Sequence, residues 1–251
     1  VYRISHIQAL HISDITISKS KTNMTSSIKP EVRIQTSIFS CLEKKALVWM
    51  ALRIPQKINS DHLTVLGFAG ALISSAGYIL SNLESHFLWL ASFGLVLNWF
   101  GDSLDGTLAR VRNAQRPIYG FFIDHSIDGL TVFAICVGAG LSPYINFAVA
   151  MLILAGYLLL SVLTYINTHL KGKFKISYFK LGPTEFRLIV ILINTLFIYY
   201  PIGKQNFVLN GVALNLFDII GIVIAFILFI IYLVNFLIDN NKYEKIDPPK
   251  H

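Results

Sequence analysis

Charge is what this sequence has least of. Only 14% of its 251 residues are Asp, Glu, Lys or Arg, against roughly 25% in an ordinary soluble domain. With 54% of residues hydrophobic, that shortage argues against a cytosolic globular protein. Cysteine is nearly absent too. Cys41 and Cys136 are too few for a secreted disulfide framework and stand at no metal-ligand spacing, so each reads as a small hydrophobe. No internal repeat or low-complexity tract is found. The polar amino-terminal stretch has neither the apolar region of a signal peptide nor the arginine bias of a transit peptide.

What is present is a series of long apolar runs, which makes lipid the solvent. A spanning helix needs about 20 mostly apolar residues, at about 1.5 Å each across a core of about 30 Å. Six stretches fit: Leu63 to Ser81, Phe87 to Gly101 with a polar extension, Ile118 to Leu141, Phe147 to Ile166, Phe186 to Gly203, and Ala213 to Ile238. The expected fold is therefore all-α, a polytopic membrane protein of six transmembrane helices.

Basic residues set the orientation, because cytoplasmic loops near helix ends retain Lys and Arg. With six spans, all but Lys204 of the 21 basic residues fall on one side. Both termini are thus expected to be cytoplasmic, and an odd helix count would scramble the asymmetry. The net charge of +7 reads as topology and attraction to anionic lipid rather than to nucleic acid.

Ahead of the spans, residues 1–35 are expected to be poorly ordered. Met24 has the look of a more ordinary start than Val1. Residues 36–57 read as an interfacial amphipathic helix and linker, since Ile38, Leu42, Ala46, Met50 and Ile54 recur at helical spacing. A helix packed on the protein itself explains the same pattern. The membrane domain is placed at 58–239, and 240–251 forms a cytoplasmic tail.

The third span is unusual because it contains acids. Asp102, Asp105, Asp124 and Asp128 lie within 27 positions of one another, at the ends of two spans. Carboxylates at membrane depth cost about 3 kcal/mol each unless paired, solvated or bound to cations. Asp102 and Asp105 are three apart, Asp124 and Asp128 four apart, so each pair projects from one face of its helix. The short basic connection from Ala109 to Tyr119 makes the two helices antiparallel neighbours, and the four carboxylates converge. Such a cluster calls for divalent cations, and hard oxygen ligands favour Mg2+ or Mn2+. Beside it, Gly106 lets backbone approach a ligand, and Arg110 suits bidentate phosphate binding. Tight helix packing at Gly106 and Ala109, with Arg110 as a topology signal, explains each of the three equally well taken singly, and much less well beside the aspartates.

Asp102-Ser-Leu-Asp105-Gly106-Thr-Leu-Ala109-Arg110, followed by Gly120-Phe-Phe-Ile-Asp124-His-Ser-Ile-Asp128, resembles the signature of the CDP-alcohol phosphatidyltransferases. Asn59-Ser-Asp-His-Leu-Thr64 is similar to the family's Pro-Asn-x-x-Thr entry to the first span, with Ser60 and Asp61 where the family has Pro and Asn. The resemblance covers about Ile54 to Ile238. It implies transfer of a substituted phosphoryl group from a CDP-linked lipid donor to an alcohol acceptor, with release of CMP. It also implies that Asp102, Asp105 and Asp124 hold one or two divalent ions against the diphosphate and that Asp128 acts as general base, itself close enough to serve as a ligand. Gly106 and Ala109 would leave room for the nucleotide, and Gly120 would let its helix come close. A homodimer is implied as well.

Donor and acceptor stay open. CDP-diacylglycerol with a water-soluble acceptor is favoured by the short chain and basic loops; a CDP-amino-alcohol with a lipid acceptor is the alternative. Lys171, Lys173, Lys175 and Lys180, leading to Gly182-Pro-Thr-Glu185-Phe-Arg187, could form a cationic floor for a phosphorylated acceptor such as inositol phosphate or glycerol phosphate. For the lysines topology is the better explanation; for Arg187 substrate binding is. His125 is assigned a supporting or packing role. Asn98 either orients Asp102 or makes a helix-packing hydrogen bond, and Asp218 is expected to face water or an interfacial partner. A cation or proton transporter with intramembrane aspartates is the competing class. Carboxylates at helix ends beside Gly106 and Arg110 suit phosphate chemistry better.

Overall fold

The computed structural model describes residues 40–171, 183–199, 207–209 and 212–249. The expectations for residues 1–39 and for Lys173, Lys175, Lys180, Gly182, Gly203 and Lys204 lie outside the described residues, as do the side chains of Cys41, Leu42 and Lys171. The chain runs α1 (Ser40–Ala51), α2 (Ser60–Leu80), a short 3-10 turn (Ser85–Phe87), α3 (Leu88–Val111), α4 (Pro117–Gly140), α5 (Phe147–Lys171) and α6 (Pro183–Tyr199). A two-stranded antiparallel ribbon, β1 (Phe207–Leu209) and β2 (Val212–Leu214), precedes α7 (Leu216–Ile246).

The architecture is that of an α-helical membrane protein. Among the described residues five helices, α2 to α5 and α7, are long and apolar enough to cross a bilayer. The fifth expected span corresponds to α6, whose 17 described residues extend about 26 Å against a hydrocarbon core of about 30 Å. Residues 200–203 of that expected span lie outside the described residues. The last span shifts: Ala213 lies in β2, and α7 runs on through the proposed tail to Ile246. Large side chains such as Phe226, Leu192 and Phe122 are exposed on these helices, which suits surfaces that meet hydrocarbon.

Lipid offers no hydrophobic force to join helices, so close packing and hydrogen bonds must do it. Small residues recur at spacings of three and four on α2 (Gly67, Gly70, Ser74, Gly77) and α3 (Ala91, Gly94, Asn98, Gly101). The backbones nearly touch along this seam. A Cβ at Gly94 would lie 2.3 Å from the Ser74 nitrogen, and one at Gly101 would lie 2.4 Å from the Gly67 nitrogen. Asn98 adds a bond across it, Nδ2 to the Gly67 carbonyl at 3.0 Å, which is the packing role of the two considered.

Helix α6 is held to this pair by a buried polar knot. Asn194 donates from Nδ2 to Ser92 Oγ and to the Tyr78 hydroxyl, both at 3.1 Å. At the other side of the sequence, α5 and α7 meet through Asn167, whose Nδ2 donates to Asp239 at 2.7 Å while its Oδ1 accepts from Tyr243 at 2.8 Å. Cys136 is a half-buried free thiol.

Asp218 does not face water, contrary to the expectation. It is 2% exposed and accepts from the backbone nitrogens of Asn215 at 2.9 Å and Asn146 at 2.6 Å. Asn215 in turn accepts from Phe217 and Asp218. The pair caps the start of α7, where free N–H groups need acceptors.

Helix α1 packs on the protein. Leu47 and Ala51 are buried in a cluster with Leu63, Leu104 and Leu108. Of the expected stripe, Met50 and Ile54 pack against this cluster, whereas Ala46 is exposed and Leu47 is buried in its place. Val48, Trp49 and Leu52 form a second apolar face that stays exposed.

Candidate active site

The site is built where α3 ends and α4 begins. Helix α3 carries Asp102 and Asp105 one turn apart, then closes through Arg112 to Arg116 into α4. Asn113 makes that reversal in the left-handed region, at φ 52°, a conformation asparagine tolerates better than most residues. Arg112 fastens the turn to the α1–α2 linker, donating to the carbonyls of Ile58 at 2.5 Å, Ile54 at 2.8 Å and Pro55 at 3.1 Å. Arg116 pairs with Asp61 at the start of α2. The turn thus brings Asp124 and Asp128, on the second and third turns of α4, against the second half of α3.

All four aspartates line one small cleft, together with Thr64, Gly67, Asn98 and Thr131. Within it, Asp102, Asp124 and Asp128 each offer an oxygen, and these oxygens lie within 4.8 Å of one another. Asp105 stands apart from that trio. It is 9% exposed; its Oδ2 accepts from Thr64 Oγ1 at 2.7 Å and its Oδ1 from the Gly106 amide. Its carbonyl accepts from Ser60 Oγ at 2.9 Å. The start of α2 therefore serves to orient Asp105, and the glycine seam is what brings Thr64 within reach.

A cation enters this group from another helix. Arg187, on the second turn of α6, donates from Nη2 to Asp102 Oδ2 at 2.8 Å. Both side chains are partly shielded, at 15% and 28% exposure.

The family model for CDP-alcohol phosphatidyltransferase matches residues 58–231. The chain belongs to that family. It is 31% identical over 148 residues to an archaetidylinositol phosphate synthase of Pyrococcus horikoshii, covering 58% of this chain and 73% of that protein. To the archaetidylinositol phosphate synthase of Methanothermobacter thermautotrophicus it is 26% identical over 165 residues, 65% of this chain and 80% of that one. To cholinephosphotransferase 1 of Danio rerio it is 22% identical over 191 residues, 71% of this chain and 49% of that one. As a member of the CDP-alcohol phosphatidyltransferases, the protein is a membrane phosphotransferase of phospholipid synthesis. The enzyme class prevails over the transporter class.

Members of the CDP-alcohol phosphatidyltransferase family depend in general on divalent metal. The trio fits that requirement: three carboxylate oxygens within 4.8 Å are a hard, anionic donor set of the kind Mg2+ and Mn2+ take.

The remaining family positions, Gly106, Ala109, Arg110 and Gly120, are not among the residues that line the cleft. Arg110 lies exposed beside Gly106, where a Cβ would be 3.4 Å from its Nη1. Its Nη2 donates to Thr107 Oγ1 at 2.9 Å. Ala109 is half-buried on the same helix. Gly120 departs from its expected role: a Cβ there would meet nothing within 4 Å, so it mediates no helix contact among the described residues and leaves open space at the start of α4. His125 packs against Phe121 (tilted) and Tyr165 (edge-on), with ring centroids 4.1 and 4.9 Å away, and its Nδ1 lies 3.0 Å from the Phe121 carbonyl and 3.7 Å from Asp124 Oδ2. It thus packs on aromatic rings while standing beside one aspartate of the trio.

Ser60 and Thr64 were singled out from the sequence only as part of a motif, without a contact to the aspartates. The signal that finds them is the recurrence of small residues that zips α2 to α3.

Proposed function

We propose that this CDP-alcohol phosphatidyltransferase transfers a phosphatidyl group from CDP-diacylglycerol to the hydroxyl of a phosphorylated polyol, inositol phosphate being the foremost candidate, and releases CMP. The observation that carries the reading is the convergence of three carboxylate oxygens within 4.8 Å beside a guanidinium on Asp102, at a helix end joined to a basic turn. Two of the relatives are named for synthesis of an inositol phosphate lipid, and Arg187 offers the planar fork suited to a phosphate.

In this reading Asp102, Asp124 and Asp128 hold a divalent cation, with Asp105 as a further carboxylate for a second. When bound by these carboxylates, Mg2+ or Mn2+ would supply neutralisation of charge on the diphosphate. The acceptor oxygen forms a new bond to the lipid-bearing phosphorus, and the bond from that phosphorus to the CMP oxygen breaks. The acceptor proton goes to a carboxylate oxygen of Asp128, because an alcohol is a poor nucleophile at neutral pH until a base takes its proton. Arg110, with Gly106 and Ala109 beside it, contacts the donor phosphates, and open space at Gly120 admits substrate. Arg187 binds the phosphate of the acceptor.

The positive-inside rule supports a cytoplasmic active site, since Arg110, Arg112, Arg116 and Arg187 share its end of the bundle. Six spans with α6 included, an interfacial position for α1, and a homodimer belong to the same proposal.

The test is CMP release from CDP-diacylglycerol in detergent with Mg2+ or Mn2+, run against a panel of acceptors with the lipid product identified. Inositol phosphate is expected to stimulate release and to appear in the lipid. Stimulation by diacylglycerol with CDP-choline, and none with CDP-diacylglycerol, would reverse the assignment of donor and acceptor.

A further inference from the structure

Glu43 on α1 makes contacts that neither helix packing nor the transfer reaction uses. Its Oε1 accepts two hydrogen bonds, from Trp99 Nε1 on α3 at 3.0 Å and from Thr184 Oγ1 on α6 at 2.7 Å. Those partners are not arbitrary. Trp99 precedes Asp102 by three residues, and Thr184 precedes Arg187 by three, so each lies one turn from a member of the Arg187–Asp102 pair and on the same helical face. Leu47 and Ala51, one and two turns farther along α1, anchor it against Leu104 and Leu108 of α3. Glu43 thereby bridges the two helices that supply the ion pair. It also lies ahead of residues 58–231, the segment matched by the family model.

We propose that Glu43 is a positioning residue for the acceptor site: by tying the first turn of α6 to α3 it holds Arg187 where it meets both Asp102 and the acceptor phosphate. The proposal rests on the reading of Arg187 as the phosphate contact. Arg187 has a long, flexible side chain, and fixing the backbone beneath it limits the conformations it must lose on binding. The requirement is for an acceptor oxygen at position 43, not for its charge, because Trp99 and Thr184 are both neutral donors.

The test uses the full chain in detergent, with CMP release followed at varied inositol phosphate concentration and a thermal unfolding midpoint recorded for every variant. Glu43→Ala and Thr184→Val are each expected to raise the acceptor KM about three- to tenfold with kcat changed less than about twofold. Glu43→Gln and Thr184→Ser keep the oxygen and are expected to match the unmodified protein. In an Arg187→Ala background, Glu43→Ala is expected to add nothing further to KM, the result of two changes acting through one group. A KM raised by Arg187→Ala but left alone by Glu43→Ala and Thr184→Val would overturn the tether. So would a Glu43→Gln variant as impaired as Glu43→Ala. If Arg187→Ala itself leaves KM unchanged, the assignment of Arg187 fails first and the positioning role with it.

Discussion

The Arg187 guanidinium donates to Asp102 Oδ2 at 2.8 Å, joining the start of α6 to the end of α3 across 85 residues of sequence. Asp102 also belongs to the carboxylate trio, so one residue serves a cation site and an anion site at once. Arg187→Ala is expected to lower kcat/KM about 10- to 100-fold by removing the phosphate contact and leaving Asp102 uncompensated. Arg187→Lys should recover only part of this, since an ammonium is a point charge and lacks the planar fork. Steady-state kinetics with both substrates varied check it; equal activity in all three proteins would remove Arg187 from the site.

Asp128→Asn keeps size and hydrogen bonding but cannot accept the acceptor proton. Transfer is expected to fall about 100- to 10,000-fold while binding of the CDP-linked donor is largely kept. Equilibrium binding of labelled donor alongside CMP release separates the two, and full activity in the variant would assign the base elsewhere.

Asp105→Ala is expected to weaken metal and donor binding together. Thr64→Val, which removes the hydroxyl that Asp105 accepts from at 2.7 Å, should reproduce a milder form of the defect, about tenfold in kcat/KM. Donor titration at fixed Mn2+ checks this; unchanged affinity in Asp105→Ala would contradict the ligand role.

Gly94→Ala places a methyl group 2.3 Å from the Ser74 nitrogen, a separation that only backbone movement can relieve. A loss of about 1–3 kcal/mol is expected, read as a lower thermal unfolding midpoint in detergent. Gly120→Ala, with nothing within 4 Å, is expected to leave the midpoint unchanged.

Much of this site was legible in the sequence because its signal is local. Asp102 with Asp105 and Asp124 with Asp128 declare themselves by spacing on two helices joined by a short turn, and acids are conspicuous in an apolar run. What separated Asp105 from the other three was a tertiary contact: Thr64 is reached only because Gly67 and Gly101 let α2 and α3 close together. The Arg187–Asp102 distance is likewise invisible to any pattern, though the basic, polar entry to α6 pointed to the right region. On α1, apolar residues occupy two faces, so periodicity alone selected Ala46 where packing selected Leu47. Asp218 was misread although its signal was present, for Asn215 followed three residues later by an acid ahead of an apolar run is the pattern of a helix cap.

The most direct test is CMP release from CDP-diacylglycerol by the purified full chain after exhaustive chelation, then with Mg2+ or Mn2+ restored. Release is predicted to vanish on chelation, to return with either ion, and to stay absent when Asp102 or Asp124 is replaced by Asn. An enzyme that releases CMP at its full rate with divalent cations removed would contradict the account.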